Sequence, residues 1–241
     1  MHTAKLSINI FYFQKINFKL ICYWLNVLAF CGMRIFWRSF VILITIFFGF
    51  SANYKNVSSN AKAQFKLTKQ KAAEALQFCK SNKMNEKVCI LIDMSIHSGL
   101  RRFFVWDFEK DTISYSFLVG HGCCNNPWSE DDSKENPVFS NVDGSHCSSL
   151  GKYKIGERAF SNWGVNIKYV LHGLEKSNSN AYKRLIVFHS WELVSDEEIY
   201  PEGTAEGWGC PTISNNSFKK IDPILKKAEK PVLMWMYKSK N

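Results

Sequence analysis

The stretch "GWGCPTISN" (residues 207–215) sets one cysteine among residues that cannot propagate a helix or a strand. Gly203, Gly207 and Gly209 precede Cys210, and Pro211 follows it. A packing cysteine sits more naturally in an apolar run, as Cys89 does in "KVCILID". The Cys210 sulfur is therefore a candidate nucleophile, metal ligand or half of a disulfide. A free thiol has a pKa of about 8.5 and is mostly protonated at neutral pH, so a nucleophile needs a base beside it. His121, His146, His172 and His189 are candidates. His189 closes the run "RLIVFHS", 21 residues before Cys210, and the excursion between them is long enough to bring the chain back to the same edge. His172 closes the preceding run, "VNIKYVLHG", in the same relative position. The backbone N–H groups at Gly209 and Cys210 are suited to an oxyanion, because glycine lets an oxygen approach the main chain.

A second cluster lies upstream. His121, Cys123, Cys124, His146 and Cys147 have the composition of a zinc site, but their spacing matches no common finger or knuckle. A disulfide from Cys123 or Cys124 to Cys147 is an alternative, and unpaired thiols are a third.

These side chains need a scaffold. "AKAQFKLTKQKAAEALQFCKSNKM" has helical composition, with Phe65, Ala72, Leu76 and Cys79 near one face. From residue 87 the pattern changes to short β-branched and aromatic runs. "KVCILIDMS" reads as a central strand, and "RRFFVWDFEKDTISYSFLVGHG" as a hairpin turning at Glu109–Asp111. Further strands are expected at "GKYKIG", "VNIKYVLHG", "KRLIVFHS" and "KPVLMWMYK", with a short helix at about 217–228. The sum is a mainly-β domain, sandwich- or barrel-like, with helices at its margins. Residues 122–150 form a polar loop beyond the usual connection length, expected to lie over the catalytic edge.

The formal charge of +10 is unevenly placed. Residues 1–52 carry five Lys/Arg and no acid, and the rest holds 26 basic against 21 acidic residues. That diffuse surplus does not argue for nucleic acid. "MRIFWRSFVILITIFFGFSA" has the basic flank, apolar run and small-residue exit of a secretory signal, so residues 1–52 read as a signal peptide or N-terminal membrane segment. The expected mature protein works outside the cytoplasm, in the periplasm or cell envelope, and touches the membrane only through that segment. Residues 53–85 read as linker and helix, and 86–241 as the functional domain. Oligomeric state is left open.

The strings "FSNVDGSHCSSLGKYKIGE", "YVLHGLEKSNSNAYKRLIVFHS" and "GCPTIS" are similar to the L,D-transpeptidase catalytic domain, in its exported Gly-Cys-Pro branch. The likeness spans roughly residues 86–238. It implies a β-rich fold and cysteine acyl transfer on peptidoglycan stem peptides, with no metal or cofactor. Carried over, Cys210 is the nucleophile, His189 its base, Ser190 the residue after that base, Gly209 part of the oxyanion site, and His172 a supporting residue. The resemblance also implies acylation of the cysteine by carbapenems. The chain departs from the pattern at Gly207, where the family places a serine three residues before the cysteine. It also departs at Pro211, where an aliphatic residue is usual.

Overall fold

The computed structural model describes residues 61–125 and 137–239. The expected signal segment, residues 53–60 of the linker, and residues 126–136 of the long loop lie outside the described residues. Among the described residues no helix is long and apolar enough to cross a membrane.

Helix α1 occupies residues 61–81. Its buried positions are Thr68, Ala72, Ala75 and Cys79, a helical stripe of small side chains that lets the helix lie close on a sheet. It packs with Cys89, Leu91, Phe104, Trp106 and Tyr237. Two residues of the expected apolar face sit differently. Phe65 is partly exposed and its ring meets Trp106 at the edge of the stripe, and Leu76 is half-buried.

Strand β1 (Val88–Asp93) is interior, as its unbroken apolar run predicts: it lies parallel to β8 and antiparallel to β2. Successive side chains point to opposite faces. Cys89 and Leu91 accordingly meet α1, while Ile90 and Ile92 enter the main core. β2 (Phe103–Asp107) and β3 (Thr112–Phe117) form the expected hairpin. Asp107 accepts the Lys110 N–H at 2.9 Å, and Asp111 turns the chain at φ +51°.

The remaining strands are β4 (Gly151–Phe160), β5 (Ile167–Gly173), β6 (Val187–Ser190), β7 (Thr212–Ile213) and β8 (Leu233–Tyr237). All eight belong to one sheet, in the order β3-β2-β1-β8-β4-β5-β6-β7. The chain just past β3 returns to the opposite edge, where the Gly120 N–H donates to the Thr212 carbonyl at 2.8 Å. The sheet is thereby nearly closed on itself. Its interior holds Phe103, Tyr153, Leu171, Phe188, Met234 and Met236, with Phe218, Ile221 and Leu225 entering from helix α2 (Asn215–Lys226). Ser214 caps that helix by accepting the Ser217 N–H at 3.1 Å.

The mainly-β reading holds, with three differences of detail. β4 runs on to Phe160, through a register shift between Ile155 and Arg158 that its polar second half obscures in sequence. β7 is two residues long, too short to leave a periodic signal. Most consequential, β5 and β6 are antiparallel. Two neighbouring antiparallel strands that each end in histidine deliver those histidines to opposite rims.

Candidate active site

β6 and β7 run parallel, with His189 opposite Thr212 and Ser190 opposite Ile213. Cys210 lies two residues before Thr212 and so falls alongside β6 near Val187. There its Sγ stands where a backbone partner would be: the Val187 N–H donates to it at 3.4 Å, and the Leu185 carbonyl accepts from it at 3.9 Å. His189 is two residues further along the same strand, roughly 7 Å by strand rise. No hydrogen bond joins the imidazole to the thiol. Catalytic hydrogen bonds are often long before substrate binds and tighten afterwards.

His189 is buried, and its Nδ1 lies 2.9 Å from the Ser190 carbonyl. A carbonyl only accepts, so Nδ1 carries the ring proton and Nε2 of the neutral ring keeps its lone pair. Burial holds the imidazole pKa below its ordinary value, and the Lys168 charge across the β5 register adds to the effect. The ring is therefore a neutral base at pH 7. Burial pushes the Cys210 thiol the other way, upward. The Val187 N–H and the charges of Arg184 and Lys168 oppose that rise without cancelling it. At rest the two groups are a thiol and a neutral imidazole.

Ser190 is fully buried, and its hydroxyl accepts the Val165 N–H at 2.9 Å. That bond fixes the turn entering β5, while the Ser190 carbonyl fixes the imidazole. Gly209 has φ +97°, and a Cβ there would come 2.5 Å from the Cys147 carbonyl oxygen, so both backbone and space demand glycine. Gly207 is the opposite case, since a Cβ there meets nothing within 4 Å. His172 is not brought to this rim. It pairs with Lys154 on the far half of β5, its Nε2 lies 2.9 Å from Glu157, and its ring stacks on Tyr182.

Two supports hold Cys210, of which sequence pointed only to the long loop. On one side the chain before it is strapped to residues 120–123: the Gly207 N–H donates to the His121 carbonyl and the Cys123 N–H to the Gly207 carbonyl, each at 2.8 Å. Beneath them runs a buried chain of side chains. Arg102 donates to the Val119 and Ile96 carbonyls and lies 2.9 Å from His121 Nδ1. His121 Nε2 lies 3.3 Å from Glu206. Arginine can only donate, so His121 Nδ1 accepts and Nε2 carries the hydrogen toward Glu206. Arg102, within the "RRFF" that leads into β2, is wholly buried.

On the other side lies the 137–149 segment. Of the alternatives left open for its cysteines, the structure pairs Cys124 with Cys147 and leaves Cys123 a buried free thiol. Among the described residues no group of three or more His, Cys, Asp or Glu is arranged to hold a metal. Arg184 grips the same segment: Nη1 donates to the Ser140 carbonyl (2.9 Å) and Ser149 Oγ (2.7 Å). Its Nη2 donates to Ser145 Oγ (3.3 Å) and the Cys147 carbonyl (2.6 Å). His146 stacks under the exposed ring of Trp208 at 4.7 Å.

No curated protein matches the chain. Among solved structures, the cell shape determining protein Pgp2 of Campylobacter jejuni is 12% identical, with a TM-score of 0.41 over 64% of this chain and 48% of that one. Bd1075 of Bdellovibrio bacteriovorus is 14% identical, with a TM-score of 0.39 over 66% and 50%. An L,D-transpeptidase of Xylanimonas cellulosilytica is 8% identical, with a TM-score of 0.34 over 62% and 60%. The chain thus spans about half the length of the first of these. The family comparison is broader: residues 59–235, the greater part of the chain, match YkuD_2, the L,D-transpeptidase catalytic domain. With its mainly-β, nearly closed sheet, the chain belongs to the L,D-transpeptidase catalytic domain family.

Proposed function

We propose that the protein is an exported cysteine acyltransferase acting on peptidoglycan tetrapeptide stems, with Cys210 as nucleophile and His189 as its base. Family membership supports a cell-wall enzyme fold with peptidoglycan as the substrate. The observation that carries the finer reading is the His189 Nδ1 contact with the Ser190 carbonyl, which leaves Nε2 as the base on the strand that also flanks Cys210.

In the first step Cys210 Sγ attacks the carbonyl carbon of the third stem residue and its proton passes to His189 Nε2. The carbonyl oxygen becomes an oxyanion beside the N–H groups at Gly209 and Cys210. The C–N bond then breaks, and terminal D-Ala leaves as the amine with the proton returned by His189, which yields a thioester on Cys210. In the second step an amine attacks the thioester, its proton is taken by His189, and the thiol is released. Water in place of the amine makes the reaction an L,D-carboxypeptidase. Neither step needs a metal or cofactor.

Gly207 favours a second reading, a wall-binding module of the same fold with impaired catalysis, because the family serine hydroxyl is missing there. Incubating the protein with tetrapeptide muropeptides and weighing the products separates the two. Loss of one D-Ala, with or without a new cross-link, supports the enzyme. Binding to sacculi with untouched stems supports the module.

A further inference from the structure

Arg184 is unusual among the cations described. Its guanidinium spends four hydrogen bonds on neutral oxygens, those of Ser140, Ser145, Cys147 and Ser149. Among the described residues no carboxylate forms a salt bridge with it, so its charge is not neutralised locally. The carbonyl it grips most closely, that of Cys147, is the one packed against Gly209, the neighbour of Cys210. Arg184 also immediately precedes the short segment, Leu185 to Val187, whose carbonyl and N–H line the Cys210 sulfur.

We infer that Arg184 is a positioning and electrostatic residue of the Cys210 site: it seats the Cys147 carbonyl on Gly209 and holds an un-neutralised guanidinium at the head of the segment that lines the sulfur. This rests on the reading of Cys210 as nucleophile. Three other titratable groups bear on the thiol. His189, on β6, is buried and neutral at rest. Tyr153, from β4, is committed through its hydroxyl to the Ser149 carbonyl at 2.7 Å. Lys168, from β5, is a second cation that favours the thiolate. A guanidinium stays charged throughout the accessible pH range, so the field does not switch off.

The test follows alkylation of Cys210 by iodoacetamide in the full chain from pH 5 to 11, with peptide mapping to separate Cys210 from the buried thiols. Alkylation needs only a thiolate, which displaces iodide as the S–C bond forms. Arg184→Met is expected to move the midpoint about one unit alkaline, hence roughly tenfold slower labelling at pH 7.5, with the plateau at high pH unchanged. Arg184→Lys, which keeps the charge but loses the fork, should hold the midpoint close to the wild-type value. Arg184→Gln is the second neutral variant should the Met form not fold, and the same shift is expected of it. An unchanged midpoint in whichever neutral variant folds overturns the inference. So does a Lys variant that shifts as far as the neutral one. The readout requires no peptidoglycan, so a protein inert on muropeptides but showing the shift would sink the acyltransferase reading and leave the role of Arg184 standing.

Discussion

Cys210 stands between two supports built in different ways. The side formed by residues 118–123 and 204–207 is fastened by main-chain hydrogen bonds and by the buried Arg102–His121–Glu206 chain, and it continues the sheet. The side formed by 137–149 is fastened mainly through side chains: the Cys124–Cys147 disulfide, the Arg184 fork, Ser148 Oγ between the Gly122 N–H and the Gly209 carbonyl, and Asn141 on Lys176 and Asn180. The first support cannot be released without opening the sheet. The second can be loosened by changing a few side-chain bonds. On the proposed reading, a nucleophile held rigidly from one side and by side chains from the other keeps its position.

Breaking the rigid side should have the larger effect. Removing one member of a buried charged chain deprives its desolvated neighbour of a partner, which costs about 3–5 kcal/mol. Arg102→Met and Glu206→Ala are expected to lower stability by that amount in urea denaturation, with the m-value unchanged. The adjustable side should yield less. A disulfide closing a loop of this size contributes roughly 3 kcal/mol at most, chiefly through the unfolded chain. Cys124→Ala or Cys147→Ala should therefore raise hydrogen exchange across 137–149 while β1 and β8 stay protected, and should leave Cys210 labelling nearly intact.

The pH dependence sharpens the same comparison at smaller scale. The His189 pKa is depressed in the fold, so the native state binds fewer protons than the unfolded one. Its contribution to stability is present above an unfolded pKa of about 6.5 and is lost as pH falls below that. The thiols move the opposite way. Cys79 is pushed up to about 11, and Cys89 and Cys210 are raised as well. Their contributions are present below about pH 8.5 and are lost as pH rises. Stability should be greatest between those limits, and His189→Gln should flatten the acid side alone in melts taken from pH 5 to 8. The smallest effect belongs to Gly207→Ser. A side chain there meets nothing within 4 Å, so stability should change by less than about 0.5 kcal/mol. Turnover of muropeptides should rise with the added hydroxyl.

The legible parts of the fold were those with strong local patterns. The unbroken run at Val88–Asp93 gave a central strand, and the hairpin turning at Asp111 is read directly from its polar tip between two apolar runs. The site was legible where geometry is local, as at Gly209, whose left-handed backbone only glycine suits. What sequence could not carry was pairing. His172 and His189 end similar strands, and only the antiparallel register shows that they face opposite rims. Arg102 and Arg184 look like ordinary surface cations, because their acceptors are backbone carbonyls supplied by distant turns. The choice of Cys124 over Cys123 as the partner of Cys147 depends on the turn at Cys124 (φ +55°), which adjacent identical residues cannot reveal.

On the proposed reading, Cys210 is the reactive thiol and His189 takes its proton. The most direct measurement is intact-mass analysis of the protein after carbapenem treatment, with peptide mapping, for wild type, Cys210→Ala and His189→Ala. A single adduct is expected on the peptide holding "GWGCPTIS", none in Cys210→Ala, and acylation slowed by about 10²-fold or more in His189→Ala. An adduct that survives Cys210→Ala, or one formed at the wild-type rate without His189, would contradict it.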